Sequence, residues 1–176
     1  GYDYAITGTA EPQFEPTDLR EIARNLPRLL GHEIEREHIR LRLDLHPRPL
    51  PIYADRIQIE QILVNLMQNA IDAIREAPSD RREIQLQAWA AKGMAEVAVR
   101  DTGTGVSADA AEHMFEPFFT TKSHGLGMGL AISRSIIEAH RGRIWVKQRA
   151  ESGRGTTIRF TLPLHPAKAA RRKPAA

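Results

Sequence analysis

Residues 56–76 carry the pattern that most narrows what this chain can become. Ile59, Ile62, Leu63, Leu66, Met67, Ala70, Ile71 and Ile74 recur at helical spacing, and Asp55 stands where a helix cap belongs. Such a stripe must be buried against another layer. Beside it runs a second stripe. Gln61, Asn65, Asn69 and Asp72 follow i, i+4, i+8 and i+11, so at about 100° per residue they share a narrow sector. That sector is either a solvated face or a place where neutral amide oxygens meet a cation and a phosphate chain without adding negative charge. Asp72 also fits a hydrogen bond within the fold.

The segments on either side supply the second layer. Thr17 can cap a helix from Asp18 with Leu19, Ile22, Ala23, Leu26, Leu29 and Leu30 on one face, and Pro27 predicts a kink or break in it. Ile39, Leu41, Leu43 and Leu45 alternate with charged residues as in a half-buried strand, until Pro47, Pro49 and Pro51 end the pattern. Strands are expected at 83–90 and 94–101, turning at Lys92-Gly93. An irregular, Gly-rich stretch covers 102–127, and a helix over 128–140 ends at Gly142. Strands at 143–149 and 155–162, joined by Ser152-Gly153, close the chain's pattern. This order predicts an α+β two-layer sandwich, helices on one face of a mixed sheet. Residues 14–164 form the expected domain, with 1–13 a lead-in and 165–176 a disordered basic tail.

Composition removes several classes of function. The net charge of +3 includes Lys168, Arg171, Arg172 and Lys173 in a tail with no acidic residue; without those four charges the remainder carries −1. The body is therefore not a basic nucleic-acid binder. No apolar run approaches the ~20 residues of a membrane span, so no membrane contact is expected. The absence of cysteine rules out disulfides and thiolate metal sites and fits a reducing, cytoplasmic setting.

Polar residues on apolar faces mark candidate sites. Alternation puts Ala95, Val97, Val99 and Asp101 on one strand face, and a carboxylate ending such a face needs a partner. Gly103 and Gly105 follow, so the backbone can turn tightly toward a ligand; equally, Asp101 can cap its own turn. Thr156 shares a face with Ile158, Phe160 and Leu162, where a hydroxyl serves a ligand or is satisfied by backbone. Gly125-Leu126-Gly127-Met128-Gly129-Leu130 leads into a helix whose first amides suit phosphate. Phe115, Phe118 and Phe119 precede Thr120, Thr121 and Lys122; they read either as anchors of a lid with a phosphate-seeking lysine or as local core beside a solvated one.

Taken in order, these pieces resemble the catalytic domains of sensor histidine kinases. Asn65-Leu66-Met67-Gln68-Asn69-Ala70 resembles the N box, and Asp101-Thr102-Gly103-Thr104-Gly105 the G1 box. Phe115 through Lys122 resembles the F box, Gly125 through Leu130 the G2 box, and Gly155-Thr156 the closing glycine–threonine element. The resemblance implies the Bergerat ATP-binding fold of the GHKL group. It implies ATP and Mg²⁺ as ligands, with Asn69 and Asn65 at the metal and Asp101 and Thr156 at adenine. Asp72, Gly103, Gly105, Thr121, Lys122 and Gly125 through Leu130 would line the nucleotide, and Asn65 and Lys122 would serve catalysis. The wording of the F box through Ile137-Glu138-Ala139-His140 is similar to the FixL- and TodS-like branch. Its implied partners are a dimerisation domain bearing the phosphoacceptor histidine and a FixJ-like response regulator.

Two departures stand out. Arg141 occupies a position where the resemblance leads one to expect glycine, which alters the turn. No phosphoacceptor motif is found either. His32-Glu33 begins like one but lacks the following proline and a second long amphipathic helix, so His32 reads as a surface histidine. The acceptor helices are expected upstream, and dimerisation only through them. The alternatives are an ATPase resembling gyrase B or MutL and a domain that only binds nucleotide or a partner. Position 65 separates kinase from ATPase. The ATPases carry a water-activating glutamate there, whereas the Asn65 amide is no general base.

Overall fold

The computed structural model describes residues 11–77, 80–119, 129–148 and 154–165. Its long helix α3, Arg56–Arg75, forms where the stripe predicts it. The Asp55 carboxylate accepts from the Gln58 amide at 3.1 Å, capping the first turn. Every apolar residue of the stripe is buried, none more than 1% exposed. At about 25 cal/mol per Å² of apolar surface, this helix supplies much of the force that joins the two layers.

The layer beneath is a five-stranded sheet in the order β2-β4-β5-β7-β6. Its strands are β2 (Arg40–Leu45), β4 (Glu83–Ala91), β5 (Met94–Asp101), β6 (Arg143–Gln148) and β7 (Thr156–Pro163). β2 runs parallel to β4 and all other neighbours are antiparallel, so the sheet is mixed, as expected. Period-two alternation buries Ile84, Leu86, Val97, Val99, Ile158 and Phe160 under the helices. The other face carries Arg159 over the Trp89 ring at 5.6 Å and Arg143 over Trp145 at 5.4 Å. Helix α5 (Gly129–Ala139) lies beside α3, and the break predicted at Pro27 separates α1 (Leu19–Arg24) from α2 (Leu26–Arg36). No helix among the described residues is long and apolar enough to cross a membrane.

Three elements differ from the sequence reading. Residues Phe14–Asp18 form β1, paired antiparallel with β3 (Pro51–Asp55) in a separate two-stranded sheet. Thr17 is therefore a strand residue whose hydroxyl donates to the Glu15 carbonyl. The cap of α1 is Asp18, which accepts from the Arg20 amide at 3.1 Å and the Leu50 amide at 3.0 Å. Pro16 and Pro51 hide these strands from a propensity argument, yet both are tolerated in so small a sheet, where each strand is an edge. Finally, the stretch expected to be irregular contains a short helix α4 (Ala108–His113), capped by Ser107, whose hydroxyl accepts from the Ala110 amide.

The turn after α5 shows why residues 141 and 142 are not equivalent. Arg141 has φ +63°, a left-handed conformation that strains any side-chain-bearing residue. Gly142 donates its amide to the Ile137 carbonyl at 2.9 Å, and a Cβ on it would run into the Thr161 carbonyl oxygen. Arg141→Gly should raise unfolding free energy by about 0.5–1 kcal/mol as backbone strain is relieved. Gly142→Ala should lower it by about 2 kcal/mol or more, because backbone must move to admit the methyl. Urea denaturation of the two variants measures both.

Candidate nucleotide site

Asn65, Asn69 and Ala73 stand one turn apart on α3 and so form a row about 12 Å long. At its first end the Asn65 Nδ2 donates to the Gly129 carbonyl and to Ser133 Oγ, both at 3.4 Å. Ser133 Oγ in turn donates to the Gly129 carbonyl at 2.9 Å. The amide nitrogen of Asn65 thus holds the first turn of α5, which leaves its Oδ1 as the atom with lone pairs to offer. Asn69, in the middle, is half-buried, and its amide makes no hydrogen bond to a described residue. At the far end the Ala73 carbonyl accepts from the Thr104 amide at 3.3 Å. Gly103 lies directly against Ala73: a Cβ on Gly103 would stand 2.5 Å from the Ala73 carbonyl carbon and 2.6 Å from its Cβ.

That contact brings the row to Asp101. The carboxylate is 4% exposed, and its Oδ1 accepts from the Gly103 amide at 2.8 Å. Across the β5–β7 ladder Asp101 faces Thr156, itself buried. Burial pushes the Asp101 carboxyl up to about 6, although the Gly103 and Thr156 amides pull the other way. Gly155 donates its amide to the Gly103 carbonyl at 2.9 Å, and Gly105, at φ +80°, passes close to Gly155. The Thr102 hydroxyl donates to the Arg81 carbonyl at 2.6 Å, which fixes the end of β5 to the start of β4. The result is a deeply placed acceptor at one end of the row and neutral amide oxygens at the other.

The predicted site residues divide accordingly. Asn65, Asn69, Asp101, Gly103, Gly105, Gly129 and Thr156 lie along this connected line. Gly129 opens α5, with nothing within 4 Å of where its Cβ would be, so its lack of a side chain is not required by packing. Leu130 packs partly against the core. The Asp72 carboxylate accepts from Gln68 Nε2 at 3.2 Å and from Arg75 at 3.3 Å, and Arg75 reaches Glu33 on α2 and Glu37 at its C-cap. Asp72 therefore takes part in tying α3 to α2. Phe115 and Phe119 pack against the core, whereas Phe118 is 76% exposed at φ +67°. Thr121, Lys122, Gly125, Leu126, Gly127 and Met128 lie outside the described residues, as does Thr120. His32 is exposed on α2, as expected of a surface histidine. Sequence reasoning missed Ala73 and Ser133. Their signals are faint: a small residue one turn past Asn69, and a hydroxyl one turn past Gly129.

Residues 54–166 match the family model described as histidine kinase-, DNA gyrase B-, and HSP90-like ATPase. The chain belongs to this ATPase family. Among its relatives, the sensor protein FixL of Bradyrhizobium diazoefficiens is 43% identical over 92% of this chain and 31% of its own length. The C4-dicarboxylate transport sensor protein DctB of Rhizobium meliloti is 40% identical over 84% of this chain and 23% of its own. The chain thus spans less than a third of the length of these curated relatives. The solved catalytic domain of histidine kinase ThkA superposes with a TM-score of 0.76 at 33% identity, covering 89% of this chain and 99% of that one. Full-length ShkA, solved in complex with AMPPNP, gives 0.74 at 30% identity, over 91% of this chain and 33% of that one. The expected α+β sandwich and the resemblance to FixL-like sensor kinases are both borne out, and ATP is the nucleotide that membership of this ATPase family implies.

For an ATPase-family domain the cost of Asp101 is measurable. Its folded pKa lies above the unfolded value, so folding favours the protonated form. Its contribution is fullest below about pH 4 and is lost as pH rises through about 6. Asp101→Asn does not titrate. The difference in unfolding free energy between variant and parent should therefore move toward the variant by about 2–3 kcal/mol between pH 4 and pH 7. Groups common to both proteins cancel in that difference. A pH-independent difference in denaturant melts would mean that Asp101 ionises in the fold without penalty.

Proposed function

We propose that this domain binds Mg²⁺–ATP along the row from Asp101 to Asn65 and delivers the γ-phosphoryl group to a histidine on a separate dimerisation domain. The phosphoryl group then passes to a response regulator, FixJ-like in type. The observation that carries this reading is the pairing of a buried carboxylate with uncommitted amide oxygens, carried by β5 and α3 on one frame through the contact of Gly103 with Ala73. Asp101 suits adenine because its carboxylate accepts from an exocyclic amino group, whereas guanine would present it a carbonyl oxygen. Thr156 stands beside it for a water-bridged contact. Asn69, with Asn65 Oδ1, offers neutral oxygens of the kind that Mg²⁺ shares with phosphates. Bound there, Mg²⁺ would neutralise charge on the β- and γ-phosphates.

Asn65 also argues for transfer over hydrolysis. Its amide has no basic lone pair and its nitrogen is committed to Gly129 and Ser133, so it cannot take a proton from water. The phosphoryl group is then retained until a nucleophile is placed in line with it. Support by analogy comes from ThkA, whose structure in complex with the response regulator protein TrrA gives a TM-score of 0.72 at 31% identity.

Incubated with γ-labelled ATP, the chain alone should neither label itself nor release phosphate quickly. A separately made dimerisation domain from the same kinase should become labelled at an acid-labile position. Rapid phosphate release that is lost in Asn65→Ala would favour the ATPase reading instead, and label on this chain that disappears in His32→Ala would reinstate His32 as acceptor. A second measurement isolates the metal ligand. Asn69→Ala should weaken ATP binding by about tenfold or more with Mg²⁺ and only about twofold with chelator, since one lost ligand matters chiefly when the metal is present. Equal losses in both conditions, by calorimetry, would make Asn69 a structural residue.

A further inference from the structure

A cavity of about 430 Å³ lies at the other end of α5 from Asn65, between that helix, the β1–β3 sheet and the end of β7. The nucleotide row does not use it. A line of aromatic rings forms its wall. His140 stacks on Phe14 at 4.4 Å and 17°, Phe14 tilts against Tyr53 at 5.8 Å, and Tyr53 stacks on His165 at 5.2 Å. Leu164 and its neighbours complete an apolar lining. The volume falls in the range of small-molecule sites, roughly 300–1,000 Å³, and is too small for a protein segment of any length.

The charge in the wall comes from Arg141. His140 is spent: its Nε2 accepts from the Asp55 amide at 3.1 Å, its Nδ1 donates to the Ile136 carbonyl at 2.8 Å, and it offers the cavity only a ring face. The nearby acids are committed as well. Glu138 pairs with Arg134 at 3.0 Å, and the Asp55 carboxylate accepts from the Gln58 and Gln13 amides. Arg141 has no carboxylate partner among the described residues, and it is held in a left-handed backbone conformation that glycine would adopt at no cost. An exposed arginine that lines an aromatic-walled cavity at the expense of backbone strain suits recognition of an anion there, since strain of this kind collects at functional sites. The guanidinium fork matches a carboxylate in two parallel hydrogen bonds. The rings favour a flat π-system, which stacks on Tyr53, Phe14 or His165 with more than its area alone would give. One arginine among mostly apolar lining residues suits a monoanion, since a polyphosphate would bring charge that no other described lining residue offsets.

We propose that this cavity is a binding site for a small aromatic carboxylate, its ring seated against Phe14, Tyr53 and His165 and its carboxylate on the Arg141 guanidinium. The site is separate from the nucleotide row and stands whether or not the domain transfers phosphate.

The probe is 2-naphthoate, titrated into the 176-residue chain and followed by ¹H–¹⁵N NMR, with 2-naphthamide as its neutral counterpart. Saturable shifts are expected at the amides of Phe14, Tyr53, Arg141 and Leu164. The amide probe should bind about tenfold more weakly, as loss of a charge-assisted pair implies. Arg141→Gly, a variant the fold accommodates, should bring naphthoate down to the level of naphthamide and leave naphthamide unchanged. Absence of saturable shifts, equal binding of acid and amide, or full naphthoate affinity in Arg141→Gly would each overturn the proposal.

Discussion

The contact between Gly103 and Ala73 sets the height at which α3 rides over the sheet at the site. Along most of its length the helix is spaced from the strands by side chains such as Leu66 and Ile71, but here backbone meets backbone. A side chain at 103 would lift the helix by a large fraction of an ångström or shift the loop, because close-packed interiors have no slack to absorb it. Asn69 sits one turn before Ala73, and Asp101 sits two residues before Gly103. A single absent methyl group therefore couples the position of Asn69 to that of Asp101. Both ends of the row are carried by a helix and a strand, elements that hold a geometry better than loops do.

The carboxylate at the deep end is buried at a cost to stability. A carboxylate 4% exposed has lost most of its hydration, and the amides of Gly103 and Thr156 restore only part of it, which is why the group is pushed up to about 6. A neutral residue would fold more favourably, but it would not present the same acceptor to an amino group. The low-dielectric surroundings that make Asp101 expensive would also make any contact it made with a base selective, since a mismatched carbonyl would face a charge that water cannot screen. The penalty is local. The core beneath, built from Val97, Val99, Ile158 and Phe160, carries no comparable conflict.

What could be read from the sequence follows from what leaves a periodic trace. Helix α3 and strands β4, β5 and β7 repeat their pattern over enough residues for the buried face to be identified, with Asp101 ending one such face and Asn69 in a polar stripe beside another. β1 and β3 are five residues each and contain proline, so alternation has no length in which to show itself. Thr17 looked like a cap because capping is a matter of residue type and position. Only the pairing of β1 with β3 shows that Thr17 is strand and that Asp18 turns the chain into α1. Ala73 and Ser133 escaped for another reason: they act through closeness of backbone and through a hydrogen bond across helices, and neither property is written in local pattern. The α4 helix, six residues under a Ser107 cap, is too short for its periodicity to be told from chance.

The pairing of α3 with α5 explains how distant parts of the chain share one frame. At one end Asn65 holds Gly129 and Ser133; at the other the His140 imidazole accepts from the amide of Asp55, the residue that caps α3. The helices therefore run antiparallel, with α5 fastened near both of its ends to the N-terminal half of α3. The second fastening requires a neutral imidazole, because a protonated Nε2 has no lone pair for the Asp55 amide. Burial supplies that condition by holding the His140 pKa below its usual value, against the smaller opposing pulls of the Ile136 carbonyl and Asp55. A histidine lowered in this way stabilises the fold above its unfolded pKa and loses that contribution as pH falls through the folded one. Phe14, the first residue of β1, stacks on the same ring, so the strand that brings the chain into the domain bears directly on the fastening.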